Sequence, residues 1–152
     1  MLDSKDKLIL DCLQRDSTLS IGDLAEKVSL TSSPCWKRLK HLETQGYIKQ
    51  RVALLDESKL GLKLIAFVSV KTQNHSEEWF EQFSLQVQAY AEVVAFYRMA
   101  GDYDYMMKVL VKDMQAFDVF YQRLVRNTQG LIDVHSTFAM EELKNTTYLP
   151  IN

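Results

Sequence analysis

The sequence predicts an α+β protein in two parts, a small helical N-terminal half and a larger half that alternates strands with helices. Three observations lead there. Apolar residues recur at helical spacing in three short stretches before residue 46. A β-rich run follows Gly46, and beyond about residue 63 the pattern reads β-α-β-β-α-β. With 152 residues, 47% of them hydrophobic and 11% aromatic, the chain has enough apolar content to fold.

In the first stretch Ile9, Cys12 and Leu13 fall at i, i+3, i+4, one buried stripe. Ser20 then stands before Ile21 with Asp23 three residues on, a start resembling a capping box, and Ile21, Leu24, Ala25 and Val28 follow on one face of a helix expected to run about three turns. A third helix starts at Thr31-Ser32-Ser33-Pro34, hydroxyl caps followed by a proline that the first turn tolerates. Cys35, Leu39 and Leu42 form its stripe, and Gln45-Gly46 its stop. The run 47–55 fits two short strands with a basic turn at Lys49-Gln50-Arg51.

These boundaries divide the chain into a winged helix-turn-helix over residues 1–56, a linker over 57–62 with Gly61 as its softest point, and a ferredoxin-like domain over 63–152. In the second domain, strands are expected at 64–72, 92–100, 105–112 and 131–139, with helices at 77–90 and 114–126. Gly101-Asp102-Tyr103-Asp104 reads as the turn of a hairpin. The run 93–100, taken as a middle strand, is apolar on both faces apart from Arg98, while two helices can cover only one face. The other face is therefore expected to pair with a second copy, because a large open apolar patch is a liability.

Bulk charge does not suggest nucleic acid, since 20 acids stand against 18 bases. Local charge does. Between Thr31 and Arg51, five bases (Lys37, Arg38, Lys40, Lys49, Arg51) face one acid (Glu43), a local +4. With Cys35 turned inward, Leu39 and Leu42 fall within about 40° of it. Ser33, Lys37, Lys40 and His41 then point outward, and Trp36 and Arg38 lie on the flanks. A helix of this width enters a major groove, and hydroxyl, ammonium and imidazole groups are donors for phosphates and base edges. Ser32, Ser33, Trp36, Lys37, Arg38, Lys40, His41, Lys49 and Arg51 are the expected DNA contacts.

In this order the motifs resemble the Lrp/AsnC, or feast/famine, family of transcription regulators. They are Leu2-Asp3-x-x-Asp6-x-x-Ile9-Leu10, Leu24-Ala25-x-x-Val28-x-Leu30-Thr31, Pro34-Cys35-Trp36-Lys37-Arg38-Leu39, Leu42-Glu43-x-x-Gly46-x-Ile48, Ala53-Leu54-Leu55, Gly101-Asp102-Tyr103-Asp104-Tyr105 and Met140-Glu141-Glu142-x-Lys144. The segments 34–39, 96–104 and 138–150 are most similar to a branch linked to cysteine detoxification. The resemblance implies a DNA-binding domain, a sensing domain, dimers that assemble further, commonly into octamers, and an amino-acid effector, with cysteine or another small amino acid as the candidate. It also implies that the effector sits between sensing domains of neighbouring subunits, near Gly101 to Asp104. Asp102 or Asp104 could then accept the effector's ammonium, with backbone N–H groups around Gly101 for its carboxylate. Tyr103 belongs to the same loop, and Ser136 and Thr137 offer hydroxyls. By resemblance Tyr97, Met99, Met114 and Phe138 line the pocket. Two-fold related recognition helices imply a palindromic operator.

Other chemistries find little support. No acid–base–nucleophile set or phosphate-binding glycine loop is evident, so no enzyme is expected; Asp133 beside His135 has no nucleophile near it. His41, His75 and His135 are scattered, so no metal site is expected. A sensing module acting through protein contacts rather than DNA is the main alternative. Cys12 and Cys35 sit at apolar helical positions and read as core side chains of a cytoplasmic protein. No apolar run approaches the roughly 18 residues of a membrane span, and the amphipathic N-terminus does not read as a secretory signal.

Overall fold

The computed structural model describes residues 1–151 and divides into two compact units. The first comprises Met1–Leu54 and the tail from Lys144 onward; the second is Leu55–Leu143. The sequence-drawn second domain ran to Asn152, which lies outside the described residues. Its tail groups instead with the first unit, because Tyr148 and Leu149 hydrogen-bond to helix α1.

The first unit holds α1 (Ser4–Arg15), α2 (Ile21–Lys27) and α3 (Ser32–Thr44). Asp3 caps α1 in a reciprocal box with Asp6, each side chain accepting from the other's backbone N–H. Ser20 caps α2 by accepting from the Asp23 N–H. Ile9, Leu13, Leu24, Ala25, Val28, Cys35, Leu39 and Leu42 close the core, so the stripes expected of all three helices meet.

Helix α2 has only seven residues, two turns rather than three. It stops early because Ser29 takes a left-handed conformation, φ 54°, with its N–H donating to the Glu26 carbonyl and the Leu30 N–H to that of Ala25. Helix α3 ends by the same motif on Gly46, φ 75°, where the conformation carries no Cβ penalty. The expected strands over 47–55 form no ladder. Val52, Leu54 and Leu55 are exposed, and an extended segment needs a paired neighbour to be a strand.

The second unit is a four-stranded antiparallel sheet, order β2-β3-β1-β4, made of β1 (Leu64–Thr72), β2 (Val93–Arg98), β3 (Tyr105–Val111) and β4 (Leu131–Phe138). Helices α4 (Glu77–Gln88) and α5 (Met114–Asn127) cover one face. The expected linker is a turn of this unit rather than a soft joint. Asp56 accepts from Ser58 and Lys59, and the Leu62 N–H closes on Glu57.

Strict alternation sorts the central strands. Ala66, Val68, Val70 and Thr72 of β1, with Tyr105, Met107, Val109 and Val111 of β3, are buried toward Phe83, Val87, Phe117, Phe120 and Leu124. Ile65, Phe67 and Ser69, with Met106, Lys108 and Leu110, point to the other face, away from α4 and α5. Strand β2 is an edge strand, not a middle one: its hairpin leaves it paired with β3 alone, and Tyr97 is 57% exposed. Cys12 and Cys35 are free thiols. No helix among the described residues is long and apolar enough to cross a membrane.

Candidate nucleic-acid interface and effector loop

Helix α3 presents its polar side to solvent. Ser32, Ser33, Trp36, Lys37, Lys40 and His41 are all exposed, Trp36 by 51%. Thr31 makes no side-chain cap bond, and Pro34 has no N–H to satisfy. The N-terminal end of the helix thus keeps N–H groups and two hydroxyls for an outside acceptor, at the end where the helix dipole favours an anion.

The cations sort into three kinds. The Arg38 guanidinium bridges Asp3 at 2.6 Å and Asp6 at 2.7 Å, tying α3 to the cap of α1. Those hydrogen bonds hold Arg38 above its ordinary pKa, Asp6 contributing first. The Asp3 carboxyl is held below its own, chiefly by the Asp6 N–H and then by Arg38. Lys40 and Arg51 share Glu43, at 2.7 and 3.2 Å, and depress its pKa, Lys40 more strongly. Arg51 also donates to the Ser17 carbonyl at 3.3 Å, fastening the segment after α3 to the α1–α2 turn. Lys37, Lys49 and His41 make no ion pair or side-chain hydrogen bond among the described residues.

The local charge is therefore smaller than the sequence window showed. Five bases face three acids, Glu43, Asp3 and Asp6, leaving +2. The two aspartates escaped the window because they lie more than 30 residues upstream of Arg38. Their cap spacing was visible, but nothing in a single sequence paired them with Arg38.

In the second unit the loop between β2 and β3 closes with the Met99 N–H on the Asp104 carbonyl at 2.7 Å. Asp104 pins this loop to the sheet: its N–H donates to the Val70 carbonyl and its carboxylate accepts from the Thr72 N–H at 2.8 Å. Asp102 is exposed and makes no side-chain hydrogen bond among the described residues. Of the two candidate ammonium acceptors, Asp102 is the open one. The Tyr103 hydroxyl donates to Asp133 at 2.8 Å, which raises its pKa, and its ring stacks 6.1 Å from His135.

The remaining expected effector residues do not converge on that loop within one chain. Tyr97, Met99, Gly101, Asp102, Tyr103 and Asp104 cluster at the Val70–Thr72 end of β1. Phe138 lies opposite Ala66 and packs edge-on to Phe117, 4.9 Å away. Met114 opens α5 just beyond Val111, which pairs with Leu64 at that same far end. Along β1 the separation from Val70 to Ala66 is about 13 Å. Ser136 and Thr137 fall between. The Ser136 hydroxyl is buried without a hydrogen-bond partner, while that of Thr137 reaches the Phe67 carbonyl only at 3.5 Å. No group of His, Cys, Asp and Glu among the described residues is arranged to hold a metal ion.

Comparison with known proteins agrees with both halves. Residues 2–49 match a winged helix-turn-helix DNA-binding family, and residues 65–149 match the Lrp/AsnC ligand binding domain. The chain is 56% identical over 151 residues to the DNA-binding transcriptional activator DecR of Escherichia coli strain K12, covering 99% of each chain. It is 43% identical over 150 residues to the glutamate uptake regulatory protein of Zymomonas mobilis, covering 99% of this chain and 91% of that one. A crystal structure of an AsnC family regulator from Agrobacterium tumefaciens superposes with a TM-score of 0.95 at 49% identity, covering 98% and 97% of the two chains. A regulator from Neisseria meningitidis, solved as an L-methionine complex, superposes with a TM-score of 0.93 at 36% identity, covering 100% and 98%. On these grounds the chain belongs to the Lrp/AsnC family of DNA-binding transcriptional regulators.

Proposed function

We propose that α3 lies in the major groove of a palindromic operator, and that an amino acid bound between sensing domains of neighbouring subunits adjusts that binding. The observation that carries the DNA half is the exposed side of α3, where Lys37, just over a turn beyond the uncapped end at Ser32 and Ser33, and His41, in the last turn, make no ion pair or side-chain hydrogen bond among the described residues. Phosphates would meet that end, Lys37 and Lys49, while Trp36 and His41 face base edges. Arg38 and Arg51 act as positioning residues, fixing α3 and the segment after it.

The effector half rests on the separation just described. Residues at both ends of β1 can surround one small molecule only if neighbouring copies supply opposite ends. An amino-acid zwitterion suits that arrangement, with Asp102 for its ammonium and the apolar Met114 and Phe138 for its side chain. The regulator crystallised with L-methionine supports this class of ligand, and a smaller one such as cysteine fits the same chemistry. The bare sheet face carrying Phe67 and Tyr97 is the surface through which two copies pair, and dimers then assemble further, to octamers. We place the protein in the cytoplasm, as a regulator rather than an enzyme. Selection of duplexes from a randomised pool tests the reading: enrichment of a site with two-fold related halves supports it, and a pool that stays random overturns it.

A further inference from the structure

The face of α1 away from the core carries Asp11, Gln14 and Arg15 at i, i+3, i+4, and the chain's own C-terminal segment is seated on it. The Tyr148 hydroxyl donates to Asp11 at 2.5 Å and accepts from Arg15 at 2.6 Å. The Arg15 guanidinium lies 4.4 Å above the Tyr148 ring and also pairs with Asp11 at 3.1 Å. Gln14 grips the Leu149 backbone from both sides, its amide nitrogen donating to the carbonyl at 2.9 Å and its oxygen accepting from the N–H at 2.8 Å. That pairing imitates a β-bridge and does not depend on the Leu149 side chain, which stays 68% exposed.

The same segment is anchored at its other end. Strand β4 ends at Phe138, Ala139 donates to the Ile65 carbonyl, and Glu142 pairs with Lys108 of β3 at 3.0 Å. Only five residues separate Glu142 from Tyr148 along the chain. On the α1 side the route continues through Asp3 and Asp6 to Arg38 of the recognition helix. Every contact of the clasp is solvent-exposed, so each is weak and the segment is able to release without unfolding either core.

We propose that the Asp11–Gln14–Arg15 face is a docking surface for segment 146–149, and that docking and release of this segment couple occupancy of the sensing half to DNA affinity. The coupling rests on the effector reading above; the docking does not. An effector shifts this equilibrium only by preferring one of the two states, docked or released.

The test uses the full chain and the double variant Gln14→Ala, Tyr148→Phe. Three quantities are read: exchange of the Leu149 amide, the thermal upshift caused by an equimolar mixture of the twenty standard amino acids, and the fold-change that mixture produces in affinity for a duplex selected by the wild type. In the wild type, the Leu149 amide should exchange at least about tenfold more slowly than an unstructured one. The mixture should change DNA affinity about fivefold or more. The variant should keep the thermal upshift, lose the amide protection and respond less than about twofold. A variant with the full wild-type response overturns the coupling. An unprotected Leu149 in the wild type, or protection that disappears on dilution to monomer, overturns docking of the chain's own segment. A wild type that shows neither upshift nor response overturns the effector reading and the coupling with it, and leaves docking to be decided by the amide alone.

Discussion

The guanidinium of Arg38 lies 2.7 Å from the carboxylate of Asp6, whose side chain is only 12% accessible, and the same nitrogen reaches Asp3. A residue on the flank of the recognition helix thus locks the first helix to the third. Arg38→Ala should lower the unfolding temperature of the N-terminal unit by several degrees, because it leaves the little-exposed Asp6 carboxylate without its cation. Arg38→Lys should recover part of the loss, since a single ammonium satisfies the charge but not the planar bridge. Circular-dichroism melts of the two variants check this. DNA affinity should follow the order of stability rather than vanish in both.

Acid should act first on the same unit. Asp3, Asp11, Asp16 and Glu43 all hold pKa values below the ordinary carboxylate range, through hydrogen bonds from the Asp6 N–H, Tyr148, Thr18 and Lys40 respectively. Each is a depressed acid, so its stabilisation is complete above the ordinary range and is lost as pH falls through the lowered folded value. Melting temperature should hold flat from neutrality to about pH 5 and drop below about pH 4. In Arg38→Ala the drop should be shallower, because Asp3 then has less to lose.

Ser29 occupies a left-handed conformation that Gly46 occupies without penalty at the equivalent place in the next helix. Ser29→Gly should therefore raise stability by up to about 1 kcal/mol, the Cβ cost of that region less the added freedom of the unfolded chain. Urea denaturation measures it. Replacing Gly46 by alanine should cost a similar amount.

The two loop aspartates should behave differently. Asp102→Asn should weaken amino-acid binding at least about tenfold while leaving the melting curve unchanged, because its carboxylate makes no side-chain hydrogen bond or ion pair among the described residues. Asp104→Asn should lower the melting temperature of the sensing half, because it weakens the pin on the Thr72 N–H. Titration calorimetry and thermal melts separate these outcomes.

Much of this was legible from residue spacing. The stripes of α1 to α3, the Ser20 cap and the Gly46 stop were local signals, and so were the β-rich runs that became β1 and β3. What escaped was non-local. The Asp3–Arg38 and Tyr148–Asp11 pairs join residues 35 and 137 positions apart, and no periodicity encodes them. The two strands expected over 47–55 do not form because β propensity in Val52 to Leu55 reports a preference for pairing, not a partner within the same chain. Strand β2 was misplaced for a related reason: its apolar content was read as burial, whereas strand order, set by the crossovers, puts it at the edge. The window counted charge by proximity in sequence, and in space Asp3 and Asp6 offset part of it.

The most direct test is the salt dependence of binding to a selected duplex by wild type and Lys37→Ala. Each phosphate contact contributes about 0.9 to the slope of log affinity against log salt. A dimer that loses one contact per subunit should show a slope smaller by about 2, with weaker binding at every salt concentration and an unchanged melting curve. A variant that binds with the wild-type slope and affinity would contradict the placement of α3 on DNA.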